Sequence, residues 1–150
     1  MKTGSRLVLG AFLLAALLSG CASVPMADPK MDVAAKSFAA PRDKAGVYIY
    51  RNESMGAAIK MDVLLNGKPL GETAAKTYFY VEVEPGTHTV TGKSENESSV
   101  RFHALAGKLY YIWQEVTMGI MYARNSLKLV DDKEGRAGVL ESQLIQPGAK

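Results

Sequence analysis

The 150-residue chain holds one cysteine, one tryptophan and two histidines. A single thiol forms no internal disulfide and no cysteine-rich zinc site. Neither charge is in large excess, with 18 Lys+Arg against 15 Asp+Glu. Lys2 and Arg6 lie in a leading segment expected to be removed, and without those two the balance is 16 against 15. No basic face for nucleic acid is implied. The apolar share of 47% and charged share of 22% exclude wholesale disorder. Long apolar runs are scarce too. The main one, Leu7–Leu18, has twelve residues, which rise only ~18 Å as a helix against a hydrocarbon core of ~30 Å. That length excludes a permanent membrane helix and suits the core of a secretory signal, with Lys2 and Arg6 as its positive start.

After this run comes Leu18-Ser19-Gly20-Cys21. The tetrad resembles the bacterial lipobox, an aliphatic residue and two small ones before cysteine. The resemblance implies that the Cys21 thiol is joined to diacylglycerol, that the chain is cut before Cys21, and that the new amine is acylated, palmitate being the expected chain. Small residues let a peptidase bind extended backbone beside the membrane, and a thiolate is the best alkyl acceptor among side chains. Several acyl chains give a stable anchor where one gives only marginal binding. Ala22 and Ser23 follow without an acidic residue. By resemblance to enterobacterial sorting, this favours the outer membrane, with the protein facing the periplasm.

Three segments are expected. Residues 1–20 are the signal peptide, 21–45 a lipidated N-terminus and tether, and 46–146 a β domain. Within the tether, Asp28 and Pro29 read as the N-cap and first residue of a short helix, with Pro41 as its stop. This helix either docks through Phe38 or stays mobile. As flexible coil, the segment would hold lipid and domain ~25 Å apart.

From Gly46 onward, short β-rich segments alternate with turns: 46–51, 60–65, 69–72, 77–83, 88–93, 100–105, 109–116 and 127–130. Asn66-Gly67 is a strong hairpin signal, and Glu84-Pro85-Gly86-Thr87 a second turn. Asp131 caps a candidate C-terminal helix carrying Val139, Leu140 and Leu144, despite Gly135 and Gly138. Seven or eight strands at this spacing predict an all-β fold in the main, an antiparallel β-sandwich with a short N-terminal helix.

Val47-Tyr48-Ile49-Tyr50-Arg51, Asn66-Gly67-Lys68-Pro69-Leu70-Gly71, Tyr78-Phe79, Glu84-Pro85-Gly86-Thr87-His88 and Gly107-Lys108-Leu109-Tyr110-Tyr111 occur in an order that resembles a family of small bacterial lipoproteins. That family is known as domain of unknown function 2846, and the resemblance spans roughly residues 44–130. It implies an envelope β-sandwich and brings no catalytic residues. A more distant likeness is to PEGA-type β-modules, which share the Asn-Gly hairpin and Pro-Gly turn; here Thr87 stands where they carry a small residue.

No catalytic set emerges from the side chains. A Gly-x-Ser-x-Gly elbow is missing, and on one strand Ser99 and His103 would stand ~13 Å apart. Glu82 with Glu84, and Glu95 with Glu97, read as solvated strand faces rather than a cleft pair. Met118-x-x-Met121 with Met55, His88 and His103 is a thin copper set, and methionine also fills cores. The Asn-x-Ser triplets at Asn52 and Asn96 carry little weight in a bacterial chain.

Tyr78 and Tyr80 share one strand face, opposite Phe79 and Val81. Core packing is the leading role for these tyrosines. A surface for a protein or sugar partner is the other. Together these features predict a lipid-anchored envelope protein, non-enzymatic and without cofactor, acting as an interaction or structural module toward an envelope protein or peptidoglycan. The alternative is periplasmic binding of a glycan or a metal such as copper.

Overall fold

A computed structural model describes residues 22–146 and 148. The signal segment 1–20 and the Leu18-Ser19-Gly20-Cys21 motif lie outside the described residues. Within them the order is α1 (Pro29–Ala35), β1 (Ala45–Arg51), β2 (Met61–Leu65), β3 (Lys68–Thr73), β4 (Thr77–Val83), β5 (Gly86–Lys93), β6 (Glu97–Ala104), β7 (Leu109–Met118), β8 (Ala123–Val130), α2 (Asp132–Leu140) and β9 (Gln143–Leu144). Two sheets face each other, one ordered β8-β7-β1-β4-β9 and the other β3-β2-β5-β6. This is the expected sandwich, with one difference in pairing sense. β1 runs parallel to β7 and β4 parallel to β9, while the other pairs are antiparallel.

All seven residues of β1 are buried, because both faces of this central strand are covered. On the inner face Val47, Ile49, Phe79 and Ile112 meet Val63, Val90 and Phe102 of the second sheet. On the outer face Tyr48, Tyr50, Tyr78 and Tyr111 form a second core with Val139 and Leu144. The molecule therefore has three layers: helices, five-stranded sheet, four-stranded sheet. The strand alternation seen in Tyr78-Phe79-Tyr80-Val81 separates these two cores.

The helix caps are those expected. Asp28 accepts the Lys30 N–H at 2.8 Å, with Pro29 at the first helical position. Asp131 accepts the Glu134 N–H at 2.9 Å. α1 ends at Ala35, ahead of Pro41. Phe38 then takes a left-handed φ of 53°, unusual for a bulky residue. Its ring lies 5.5 Å from Tyr48 and beneath the Arg136 guanidinium, at 4.9 Å. In α2, Gly135 and Gly138 lower helix propensity by about 1 kcal/mol each. A Cβ at 135 would run into Tyr111, and one at 138 into Tyr50. Bare backbone is what lets α2 lie on the tyrosine layer.

A polar network closes one side of the sandwich. Thr73 Oγ1 donates to Gln114 Oε1 at 2.6 Å, and Gln114 Nε2 donates to Asn125 Oδ1 at 3.3 Å. The Asn125 N–H donates to Asn96 Oδ1 at 2.8 Å, and the Leu127 N–H to Ser98 Oγ at 3.0 Å. Side chains near the start of β6 thus satisfy edge groups of β8, which belongs to the other sheet. No described helix is long and apolar enough to cross a membrane.

Candidate functional site

The segment expected as a tether is folded onto the domain. The Ala22 N–H donates to Ala57 O at 2.9 Å, the Ala27 N–H to Leu144 O at 3.0 Å, and the Gln146 N–H to Pro25 O at 3.0 Å. Val24 is buried, and Met26 bridges Ile145. α1 is fixed by Asp32, whose Oδ1 accepts the Tyr78 hydroxyl and the Leu144 N–H, both at 2.9 Å. Lys36 Nζ donates to Asp32 Oδ2 at 2.8 Å and to Ser142 O at 2.6 Å. Of the two alternatives for the helix, docking is the one found. The ~25 Å coil spacer is replaced by packed chain starting at Ala22.

Tyr78 and Tyr80, the candidate partner surface, do not form an open face. Tyr78 is fully buried beneath α1, and Tyr80 is half-buried with its hydroxyl directed to Glu82 at 3.3 Å. The helix layer covers the face that a bare sandwich would expose. Burial, then the neighbouring Glu82 carboxylate, pushes the Tyr80 phenol up to about 12. An apolar hollow of about 270 Å³ remains beside α1, lined by Met31, Ala34, Ala35, Tyr48, Tyr80 and Leu144 among others. The Tyr48 hydroxyl already donates to Ala35 O at 2.6 Å, so it is committed to holding the helix.

The thin copper set is split. His88 lies near the start of β5, bonded through Nδ1 to Asn66 and through Nε2 to Glu84 O. His103 stands opposite Thr87 at that same end. The β5–β6 turn is at the other end, where the Ser94 hydroxyl donates to Ala123 O and where Met118 pairs with Ala123. His88 is five strand positions from Lys93, or ~17 Å. Ser99 likewise bonds Thr91 rather than a histidine. No cluster of three or more His, Cys, Asp or Glu suited to a metal occurs among the described residues.

The end of the sandwich that receives Ala22 has a distinct construction. Arg51 is fully buried at the end of β1 and donates to Ile59 O at 2.7 Å, to Gly56 O at 2.6 Å and to Met55 O at 3.3 Å. One guanidinium thereby shapes the loop that accepts Ala22. Glu53, in the same loop, accepts the Val116 N–H at 3.4 Å. Burial pushes its carboxyl above the ordinary glutamate range. Beside the loop, the β7–β8 hairpin ends in Met118-Gly119-Ile120-Met121-Tyr122. Met118, Ile120 and Met121 are 77%, 91% and 83% exposed. Glu95 accepts the N–H groups of Ile120, Met121 and Tyr122 at 2.8, 2.9 and 3.0 Å. Those three bonds hold its carboxyl below the ordinary range. The sequence signal for this tip was Met118-x-x-Met121, read for its sulfur; the shared feature is the apolar side chain.

Two similarities accompany this geometry. Residues 41–125 match the profile of a family described as "Protein of unknown function (DUF2846)". A protein of Haemophilus influenzae, described as "Uncharacterized protein", is 34% identical over 128 residues, covering 84% of this chain and 76% of that one.

Proposed function

The chain belongs to the DUF2846 family, and we propose that it is a lipid-anchored bacterial envelope lipoprotein, a non-enzymatic interaction or structural module held at Cys21. The observation that carries this reading is the tetrad Leu18-Ser19-Gly20-Cys21 directly behind the uncharged run Leu7–Leu18. Ala22 and Ser23 favour the outer membrane, with the domain in the periplasm. The packed segment from Ala22 supports a module kept against its membrane rather than one swinging on a long leash. Its layers are filled by tyrosine and aliphatic side chains, which suits presentation of an outer surface to an envelope protein or peptidoglycan. The alternative is binding of a glycan or copper; copper draws less support, since His88 and His103 stand at the opposite end from Met118 and Met121.

The test is metabolic labelling of cells with an alkyne analogue of palmitate, followed by fractionation. Label on the wild-type chain in the membrane fraction, lost in Cys21→Ala, is the expected result. An unlabelled wild-type chain in the soluble fraction would contradict the proposal.

A further inference from the structure

We propose that the β7–β8 hairpin tip, Met118–Tyr122, is a second membrane contact that seats the sandwich end-on upon the lipid bilayer. The inference rests on the reading of Cys21 as the lipid attachment point and deepens it, by assigning a surface of the folded domain to the same membrane.

Position is the first argument. Cys21 is one peptide bond from Ala22, and the Ala22 N–H is bonded to Ala57 O. Next to Ala57, the Cβ position of Gly56 lies 3.2 Å from Val116 Cγ1 and 3.5 Å from Ala123 Cβ. Ala123 is the cross-strand partner of Met118. Ala22, which follows the proposed anchor residue in sequence, and the hairpin tip therefore belong to one end of the molecule. Acyl chains attached there bring lipid to the tip with no long spacer between.

Composition is the second. The five residues of the tip carry no charge of their own, the Glu95 carboxylate bonded to their backbone being left at the headgroup level, and three of them are large apolar side chains with more than three-quarters of their surface exposed. Met55, 51% exposed, adds to them from the Arg51-bound loop. The feature is a protruding turn, which enters an acyl boundary readily, whereas a peptide or helix partner calls for a groove. Tyr122, half-exposed at the base, is the amphipathic type that favours the headgroup level.

Backbone satisfaction is the third. A turn entering a less aqueous layer must pair its own N–H groups. Glu95 accepts three of them, and the Gly119 N–H donates to Tyr122 O at 3.3 Å. The polar end with Asn66, His88 and Glu84 points the other way, toward the aqueous space. Transfer of these side chains out of water strengthens attachment by roughly tenfold or more beyond the lipid alone.

The experiment uses the full-length protein purified from membranes and returned to phosphatidylethanolamine–phosphatidylglycerol vesicles, with the mass of Cys21 determined on the same sample. In a Trp113→Phe background, Ile120→Trp places the sole indole at the tip. Blue-shifted emission, quenched by lipids brominated near the headgroup end of the chain and shielded from acrylamide, is expected. An indole open to acrylamide and untouched by brominated lipid, on protein whose Cys21 carries lipid, overturns the tip contact and leaves the anchor standing. Cys21 without lipid overturns both. A second measurement avoids the Trp113 change: trypsin cleavage after Arg124 in vesicles. Ile120→Asp/Met121→Asp should raise its rate about tenfold on vesicles and leave it unchanged in the unlipidated Cys21→Ala protein without vesicles; equal rates on vesicles overturn the proposal.

Discussion

Gly138 of α2 rests directly on the ring of Tyr50, so closely that any side chain at position 138 would occupy the space of the Tyr50 ring edge. The same helix meets Tyr111 through Gly135. These contacts bring the helix layer down on the five-stranded sheet and bury its tyrosines. Gly138→Ala gains about 1 kcal/mol of helix propensity but must displace a fully buried ring. A net loss of about 1–3 kcal/mol is expected, read as a lower urea midpoint at unchanged slope. An equal or raised midpoint would show that the layer has room.

Arg51 organises the loop that receives Ala22. Arg51→Met keeps the length of the side chain and removes the donors to Ile59 O, Gly56 O and Met55 O. A loss of about 2–4 kcal/mol is expected, since three part-buried acceptors lose their donor and the loop loses its one organising side chain. Amide exchange of residues 52–60 should accelerate most. Arg51→Lys should not restore it, because an ammonium lacks the planar fork.

Acid should release α1. Burial pushes the Asp32 carboxyl up, but hydrogen bonds from Lys36, the Tyr78 hydroxyl and the Leu144 N–H outweigh it, and the folded-state value sits below the ordinary one. A folded-state value below the unfolded one means that the contribution is fully present above the ordinary aspartate value of about 3.9. It is lost as pH falls through the lowered folded value. Helix-specific amide exchange at 30–36 should therefore rise in that acidic window. In Asp32→Asn the rise should be present already at neutral pH, with stability lower by about 1–3 kcal/mol. Identical exchange in the two proteins at pH 7 would contradict this role.

Asn125 joins the two sheets through its side-chain amide, which accepts from Gln114 Nε2 and donates to Gly92 O, both at 3.3 Å. Asn125→Ala leaves buried polar groups on both, and about 1–3 kcal/mol of stability should go with them. Thermal unfolding checks the value. A change below a few tenths would mean that the seam is held by packing alone.

Most of this architecture is legible in the residues. Strand alternation marks β1, β4 and β7, Asn66-Gly67 builds its hairpin with both residues at positive φ, and Asp28 and Asp131 cap the helices as expected. Pairing sense is not legible, because alternation fixes which face of a strand is buried and says nothing of its neighbour's direction. The strand expected at 100–105 starts earlier, at Glu97, and its Ser98 satisfies the edge of β8. β9 is too short to carry a pattern of its own. The apparent tether has few large apolar groups, since it docks largely through backbone bonds and one carboxylate rather than through an apolar stripe. Tyr78 and Tyr80 read as core first and partner surface second; the position of α1 makes Tyr78 core and leaves Tyr80 half-buried. The hairpin tip is visible as two methionines, but its neighbourhood with Ala22 depends on the meeting of Ala22 with Ala57 and of the Gly56 position with Ala123, which no local pattern reads.

The proposed lipid at Cys21 is read directly in the mass of the mature protein's N-terminal tryptic peptide, residues 21–30. This peptide is expected to start at Cys21 and to carry a diacylglyceryl thioether together with an N-acyl group. A peptide that starts at Cys21 without lipid, or a mature chain that starts elsewhere, would contradict it.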